Sequence, residues 1–248
     1  MGRTWGHAAL EVKSRFVIDL HIGPRTLEMA ITLVTSVALC CARFMRHPLL
    51  LVDDHAPYRS AILQVFGQIK YRRRRCKRGR KRQPCLRPPP GLLVGIVKKL
   101  RDESGHLLKV SRKAFAGTVK QIEQRIRQLG IGTRINTSHL ERLNGTLRGQ
   151  QARLTRRTRT GSHRTDLLEK SVRIWRDIYN WVRVHGSLHG RTPAMALGLT
   201  GHVWSVTEYV CHPVHISDLQ LQDWQETRKK IAESALEARE RKKALPIS

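Results

Sequence analysis

Apolar and polar positions alternate between Arg15 and Ile22. Phe16, Ile18, Leu20 and Ile22 fall on one side, and Arg15, Val17, Asp19 and His21 on the other. A period of two predicts a half-buried strand, which Gly23-Pro24 ends. A short apolar stretch, Ala8 to Val12, precedes it across a turn at Lys13-Ser14, so the front of the chain reads as a strand pair. Thr26 can cap a helix that runs to about Cys41. Leu49-Leu50-Leu51-Val52 is apolar at every position, which suits a strand buried on both faces. It ends at Asp53-Asp54, and a helix from about Pro57 to Phe66 follows, stopped by Gly67.

Further along, Leu92 to Leu100 and Leu107 to Phe115 read as paired strands around a turn at Glu103-Ser-Gly105. An amphipathic helix is expected over Val119 to Leu129, ended by Gly130. A helix carrying Glu141 is expected to run to about Arg157, and others over Asp166 to Val184 and Pro193 to Leu199. Residues 217–243 form a charged helical pattern, with Glu226–Lys230 and Glu237–Arg241 at supportive spacing. Strands mixed with helices predict an α/β fold. The divisions are a front part of the core over 1–69, a basic and then proline-rich insert over 70–90, the rest of the core over 91–210, and a charged helical tail over 211–248.

Charge changes this picture more than composition does. The 248 residues carry 47 Lys+Arg against 19 Asp+Glu, a formal net charge of +28. That excess makes a polyanion the expected partner, and nucleic acid before an anionic membrane, because no lipid-anchoring pattern is visible. Hydrophobic content of 40% is enough for a core. The charge is local: residues 70–87 hold eleven Lys/Arg and no acid, and residues 148–164 hold six arginines and no acid. Arg72, Arg73, Arg74, Arg75, Lys77, Arg78, Arg80, Lys81 and Arg82 in the first run, and Arg153, Arg156 and Arg157 in the second, are the expected nucleic-acid contacts. The stretch from Tyr71 to Pro90 is read as exposed and mostly without regular structure. Five cysteines without C-x-x-C spacing predict reduced thiols in the cytoplasm, not a disulfide scaffold or a zinc ribbon. The apolar run from Met29 to Ala42 is too short to span a bilayer.

Two acids stand out against this basic background. Asp53 directly follows an apolar strand, where open sheets place their ligand sites. It could equally serve as a turn or cap residue before the next helix. Glu141 shares a helix face with Asn144 and Arg148. It also fits a capping box that starts at Ser138, a structural role worth on the order of 1 kcal/mol. Acids converging from a strand and a later helix would suit metal-assisted phosphoryl transfer, with magnesium held by carboxylate oxygens. His185 and His189 are a weaker zinc alternative, since Gly186 and Gly190 argue against a helix there.

Several segments together resemble the DDE transposases of bacterial and archaeal insertion sequences. They are Ile135-Asn-Thr-Ser-His-Leu-Glu-Arg-Leu-Asn-Gly-Thr-Leu-Arg148, Ala152-Arg-Leu-Thr-Arg-Arg-Thr158, Tyr179-Asn-Trp-Val-Arg-Val-His185-Gly-Ser-Leu188 and Thr192-Pro-Ala-Met-Ala-Leu-Gly-Leu-Thr200. Gly23-Pro-Arg-Thr26 and Val52-Asp53, with Tyr58 five residues beyond the aspartate, add to the likeness. The resemblance covers roughly residues 5–210. It implies a ribonuclease H-like core, a mixed sheet flanked by helices, here missing its first strand and carrying a helical C-terminal extension. It implies Asp53 and Glu141 as the second and third acids of a catalytic triad and as metal ligands, with Asp54 the fallback for the second and Asn144 and Arg148 in support. The reaction implied is cleavage at element ends and joining to target DNA with Mg2+ or Mn2+. The partners implied are DNA and further copies of the chain, with no membrane, in a prokaryotic, nucleoid-associated cytoplasmic protein. The resemblance puts the family's first triad aspartate upstream of Met1. Asp19 and Glu11 are the acids on the predicted front strands, and neither is expected to replace it. The two-metal site is therefore expected to be incomplete, with DNA bound but cut and joined poorly. The alternatives are a non-catalytic DNA-binding protein or regulator of transposition, and a nuclease on the same core.

Overall fold

The computed structural model describes residues 5–42, 47–70, 85–155, 162 and 164–212. They fall in two compact units, Met1–Ser205 and Val206–Ser248.

The front pair is β1 (Trp5–Leu10) and β2 (Val17–Gly23), antiparallel. Ala9 pairs with Asp19 but Leu10 pairs with Val17, so Ile18 is an extra residue, a β-bulge. The bulge corrects the simple alternation read from the sequence. It brings Val17 into one cluster with Leu20 and Ile22, while Asp19 and His21 are buried instead of facing solvent. Helix α1 (Leu27–Ala42) follows, capped as expected: the Met29 amide donates to Thr26 Oγ1 at 3.4 Å.

β3 (Leu49–Asp53) leads into α2 (Ala56–Phe66), which carries proline in its first turn. β4 (Gln68–Lys70) and β5 (Cys85–Arg87) pair antiparallel. The strand at Cys85–Arg87 corrects the reading of that part of the insert as irregular: it gains a ladder from Gln68–Lys70. β6 (Leu93–Arg101) runs parallel to β3 and antiparallel to β7 (Leu107–Ala116), which makes a mixed three-stranded sheet in the order β3-β6-β7.

β3 shows why its run is apolar throughout. Leu50 and Val52 pack against Ala30 and Val34 of α1 and Ala61 and Ile62 of α2. Leu49 and Leu51 pack on the opposite face, against Ile135 and against Ile122 and Ile126 of α3 (Val119–Gln128). The cluster on β2 is covered by Leu143 and Leu147 of α4 (Ser138–Gln150) and by Leu168, Val172, Trp175 and Tyr179 of α5 (Thr165–Trp181). On the far side of β2, Ser36 of α1 donates to Asp19 Oδ2 at 2.5 Å. Helix α1 therefore lies across the β1-β2 pair and the three-stranded sheet on one side, and α3, α4 and α5 cover the other. This is a mixed α/β fold with a mixed sheet flanked by helices.

Three helix ends differ from the sequence reading. α4 stops at Gln150 and not near Arg157; Gly149 weakens its last turn, and a 3-10 turn at Ala152–Leu154 carries Leu154 back to the core. α5 ends at Trp181, and α6 (Pro193–Ala196) is a single turn. In the second unit, α7 spans Val206–Cys211. The charged helix expected over 217–243 lies outside the described residues.

Candidate functional site

Asp53 is the last residue of β3 and is exposed. Its register partner on β6 is Val97. The alternation that sends Leu49 and Leu51 toward α3 sets Asp53 on that same face, together with Val97 and Lys99. Glu141 sits in the first turn of α4 and pairs with Lys99. Lys99 is two residues beyond Val97, about 7 Å along the strand. The two acids singled out in the sequence thus each have a partner on β6, Asp53 by register with Val97 and Glu141 by its ion pair with Lys99.

Glu141 is engaged there. Thr137 Oγ1 donates to Glu141 Oε1 at 2.8 Å, and Lys99 binds the same oxygen. Partial burial pushes the carboxyl up, but the hydrogen bonds from Lys99 and Thr137, with the charges of Lys99 and Arg101, outweigh it and hold the group below the usual glutamate range. The capping box expected at Ser138 does not form. Ser138 is the first helical residue, and its hydroxyl and amide both donate to Asn136 Oδ1, at 2.8 and 3.3 Å. A capping box does occur one helix earlier, between Thr118 and Gln121.

Around Asp53 stand groups that the sequence reading had not gathered. Its charge acts on His7, His55 and Tyr58, and Arg25 acts on the same three. Burial, then the neighbouring carboxylate, pushes the Tyr58 phenol up to about 12, so it stays protonated. His7 Nε2 donates to the Pro24 carbonyl at 3.1 Å, which leaves Nδ1 to accept from the Tyr58 hydroxyl at 3.4 Å. Burial lowers the pKa of both His7 and His55, so both are neutral at physiological pH. The spacing of His55 to Asp53 was visible in the sequence; the approach of His7 was not, because it depends on how β1 is laid beside β3.

The other acids are used differently. Asp54 pairs with Arg59 and, at 3.7 Å, with Lys98. Asp19 accepts from His21 Nε2 at 2.8 Å, from Ser36, from Arg176 at 3.2 Å and from the Leu20 amide. Burial alone would push its carboxyl up; these bonds overturn that and hold it well below the usual range. Its oxygens are taken up by these structural bonds. Asn144 is half-buried and lines a cavity between β1 and β3, whereas Arg148 and Arg153 are exposed. The arginines and lysines from Arg72 to Arg82, and Arg156 and Arg157, lie outside the described residues.

Cations dominate the surface near the acids. Lys98, Lys99 and Arg101 leave the end of β6, and Lys109, Arg112 and Lys113 stand on β7 beside them. Among the described residues no group of three His, Cys, Asp or Glu side chains is placed to hold a metal ion. The donors present, Asp53 and a Glu141 already tied to Lys99, fall short of a two-metal centre. Among the described residues no helix is long and apolar enough to cross a membrane. No protein-family model matches the chain, and no curated protein or solved structure matches it either.

Proposed function

We propose that this chain is a transposase-type DNA-binding protein built on a ribonuclease H-like core, with the end of β3 and β6 as its DNA-facing site. The reading is carried by one observation: β6 holds both Val97, the register partner of Asp53, and Lys99, the ion-pair partner of Glu141. The net charge of +28 and the motifs from Ile135 to Thr200 support it. Lys98, Lys99 and Arg101 bind backbone phosphates, and a phosphate that draws Lys99 away releases Glu141. The acid set does not fit a two-metal centre, so cleavage and joining are slow or absent. The test is a strand-transfer assay on duplex DNA with Mg2+ or Mn2+, run beside a gel-shift assay on the same DNA. Tight binding with at most trace joined product is expected. Robust turnover abolished by Asp53→Asn and by Glu141→Gln would refute the impairment, and absence of DNA binding would refute the whole reading.

The ion pair between Glu141 and Lys99 favours a second reading, a non-catalytic regulator of transposition. It predicts DNA binding that is unchanged by chelators and unchanged or strengthened in Glu141→Gln. Self-association belongs to the first reading, and sedimentation with and without DNA measures it.

A further inference from the structure

Arg15 lies in the turn between β1 and β2, with a left-handed backbone at φ 62°. Its guanidinium donates to His139 Nδ1 in the first turn of α4. An arginine can only donate, so Nδ1 accepts and the proton of His139 sits on Nε2. The ring also bonds to the Ile131 backbone, and burial, then the charges of Arg15 and Arg142, lower its pKa. His139 therefore holds Arg15 in place without adding charge. A second wall follows the end of α5. Val184 is 49% exposed while Arg183 and His185 beside it are half-buried. That is the alternation of an extended stretch, which turns both half-buried side chains the same way. The rings of His185 and Tyr179 meet edge to face, with 4.6 Å between centroids, and the His185 backbone N–H donates to the Arg191 carbonyl at 3.0 Å. Arg15 and Arg183 both act electrostatically on His185 and on Tyr179, so the two arginines lie around the same pair of rings.

Two features make this a receiving site. Arg183 Nη1 and His185 Nε2 are buried without a hydrogen-bond partner, two of three such side-chain nitrogens among the described residues. Leaving a buried donor unpaired is costly, most of all on a charged group. The second feature is unbalanced charge. Among the described residues no carboxylate pairs with Arg15, Arg142 or Arg183. Glu11, the acid nearest Arg15 in sequence, is taken up by Ser14 and the Lys13 amide. We propose that Arg15, Arg183 and His185 bind a doubly charged phosphate group, with the exposed Arg142 at the rim. Each guanidinium fork spans two oxygens, and the imidazole N–H takes another. Burial, then Arg183 and Arg15, lower the pKa of His185, so it meets the anion as a neutral N–H donor. Three uncompensated cations favour a phosphate dianion over the single charge of a carboxylate. Inorganic phosphate and the terminal 5′-phosphate of a nucleic-acid strand share this chemistry. None of these residues belongs to the DNA-facing site at β3 and β6, so the inference stands or falls separately from that reading.

The experiment is calorimetric titration of the full chain with inorganic phosphate in about 0.15 M sodium chloride, where exposed charges are screened beyond about 8 Å. One phosphate should bind saturably per chain. Arg183→Lys keeps the charge and loses the fork, and it should weaken binding at least about tenfold. Arg125→Gln removes an exposed charge from α3 and should leave binding unchanged. In the unaltered chain labelled with 15N-histidine, the His185 Nε2 resonance, assigned by its loss in His185→Gln, should move on adding phosphate; this readout needs no arginine variant to fold. Competition with two duplexes, one with 5′-phosphates and one with 5′-hydroxyls, identifies the source. Displacement of phosphate by the first duplex alone assigns a strand terminus, displacement by neither assigns free phosphate, and both results uphold the site. Displacement by both alike means that a backbone diester suffices and overturns the dianion. Absence of saturable binding, as when a carboxylate of the chain's own fills the site, overturns the proposal. So do equal affinity for acetate, undiminished binding in Arg183→Lys, and a His185 resonance that does not move.

Discussion

Asn180 shows how much one side chain can hold. It is 2% exposed, and its amide accepts from the Val17 N–H and donates to the Val17 carbonyl, both at 2.9 Å. It fastens the start of β2 to α5 beside the bulge. Asn180→Ala leaves both backbone groups buried and unpaired, at a cost of about 2–4 kcal/mol, readable as a lower urea midpoint. His21 is the second case. The hydrogen bond to Asp19 raises its pKa, against the opposing effect of burial, and Glu169 adds to the rise while Arg173 opposes it. A group whose folded pKa is raised stabilises fully below its unfolded value of 6.5 and loses that contribution as pH climbs through the folded pKa. Asp19, with its pKa lowered, stabilises above its unfolded value of 3.8 and loses that contribution as pH falls. The pair therefore supports the fold most between 3.8 and 6.5, and denaturant midpoints across pH should decline on both sides of that window. In His21→Gln the decline on the alkaline side should flatten; an unchanged slope there would show that the imidazole is not the group responsible.

At the scale of elements, Gly95 on β6 sets how α4 arrives. A Cβ at that position would stand 2.9 Å from Ile135 Cγ2 and 3.1 Å from Leu51 Cδ2, both in the packed interior. Ile135 is fully buried just before α4 and anchors the segment that delivers Glu141. Gly95→Val should cost about 1–3 kcal/mol by overpacking, and it should displace the Thr137–Glu141 turn, detectable as shifted amide resonances there. How far the sequence foretold these elements depends on where their determinants lie. β3, α1 and the β6–β7 pair were legible because local period, caps and the Gly105 turn fix them. The bulge at Ile18 was not, since it is set by what β2 packs against. The end of α4 was misread because apolar spacing continues into a 3-10 turn that serves the same core. The acids Asp53 and Glu141 were visible as oddities of charge and motif. Lys99, the residue that occupies Glu141, was hidden, because nothing in a lysine near the end of a strand names its partner.

For the molecule as a whole, charge is the first variable to test. Counterion release makes the logarithm of DNA affinity fall linearly with the logarithm of salt concentration. Lys98→Ala and Lys99→Ala should each weaken binding to all sequences alike and shallow that slope by about 1. A slope unchanged in both variants would place the DNA elsewhere. Connectivity is the second variable. Helix α1 touches β2 through Ser36 and the three-stranded sheet through Ala30 and Val34. Among the described residues no ladder crosses between these two sheets, and α1 joins them through side chains. Leu33, 5% exposed, sits in the middle of that seam. Leu33→Asp should turn a single calorimetric melting peak into two, with the half built on β6 the later to melt. The helix works as a dowel between two boards, and its own fraying temperature becomes a ceiling on how far they can melt as one.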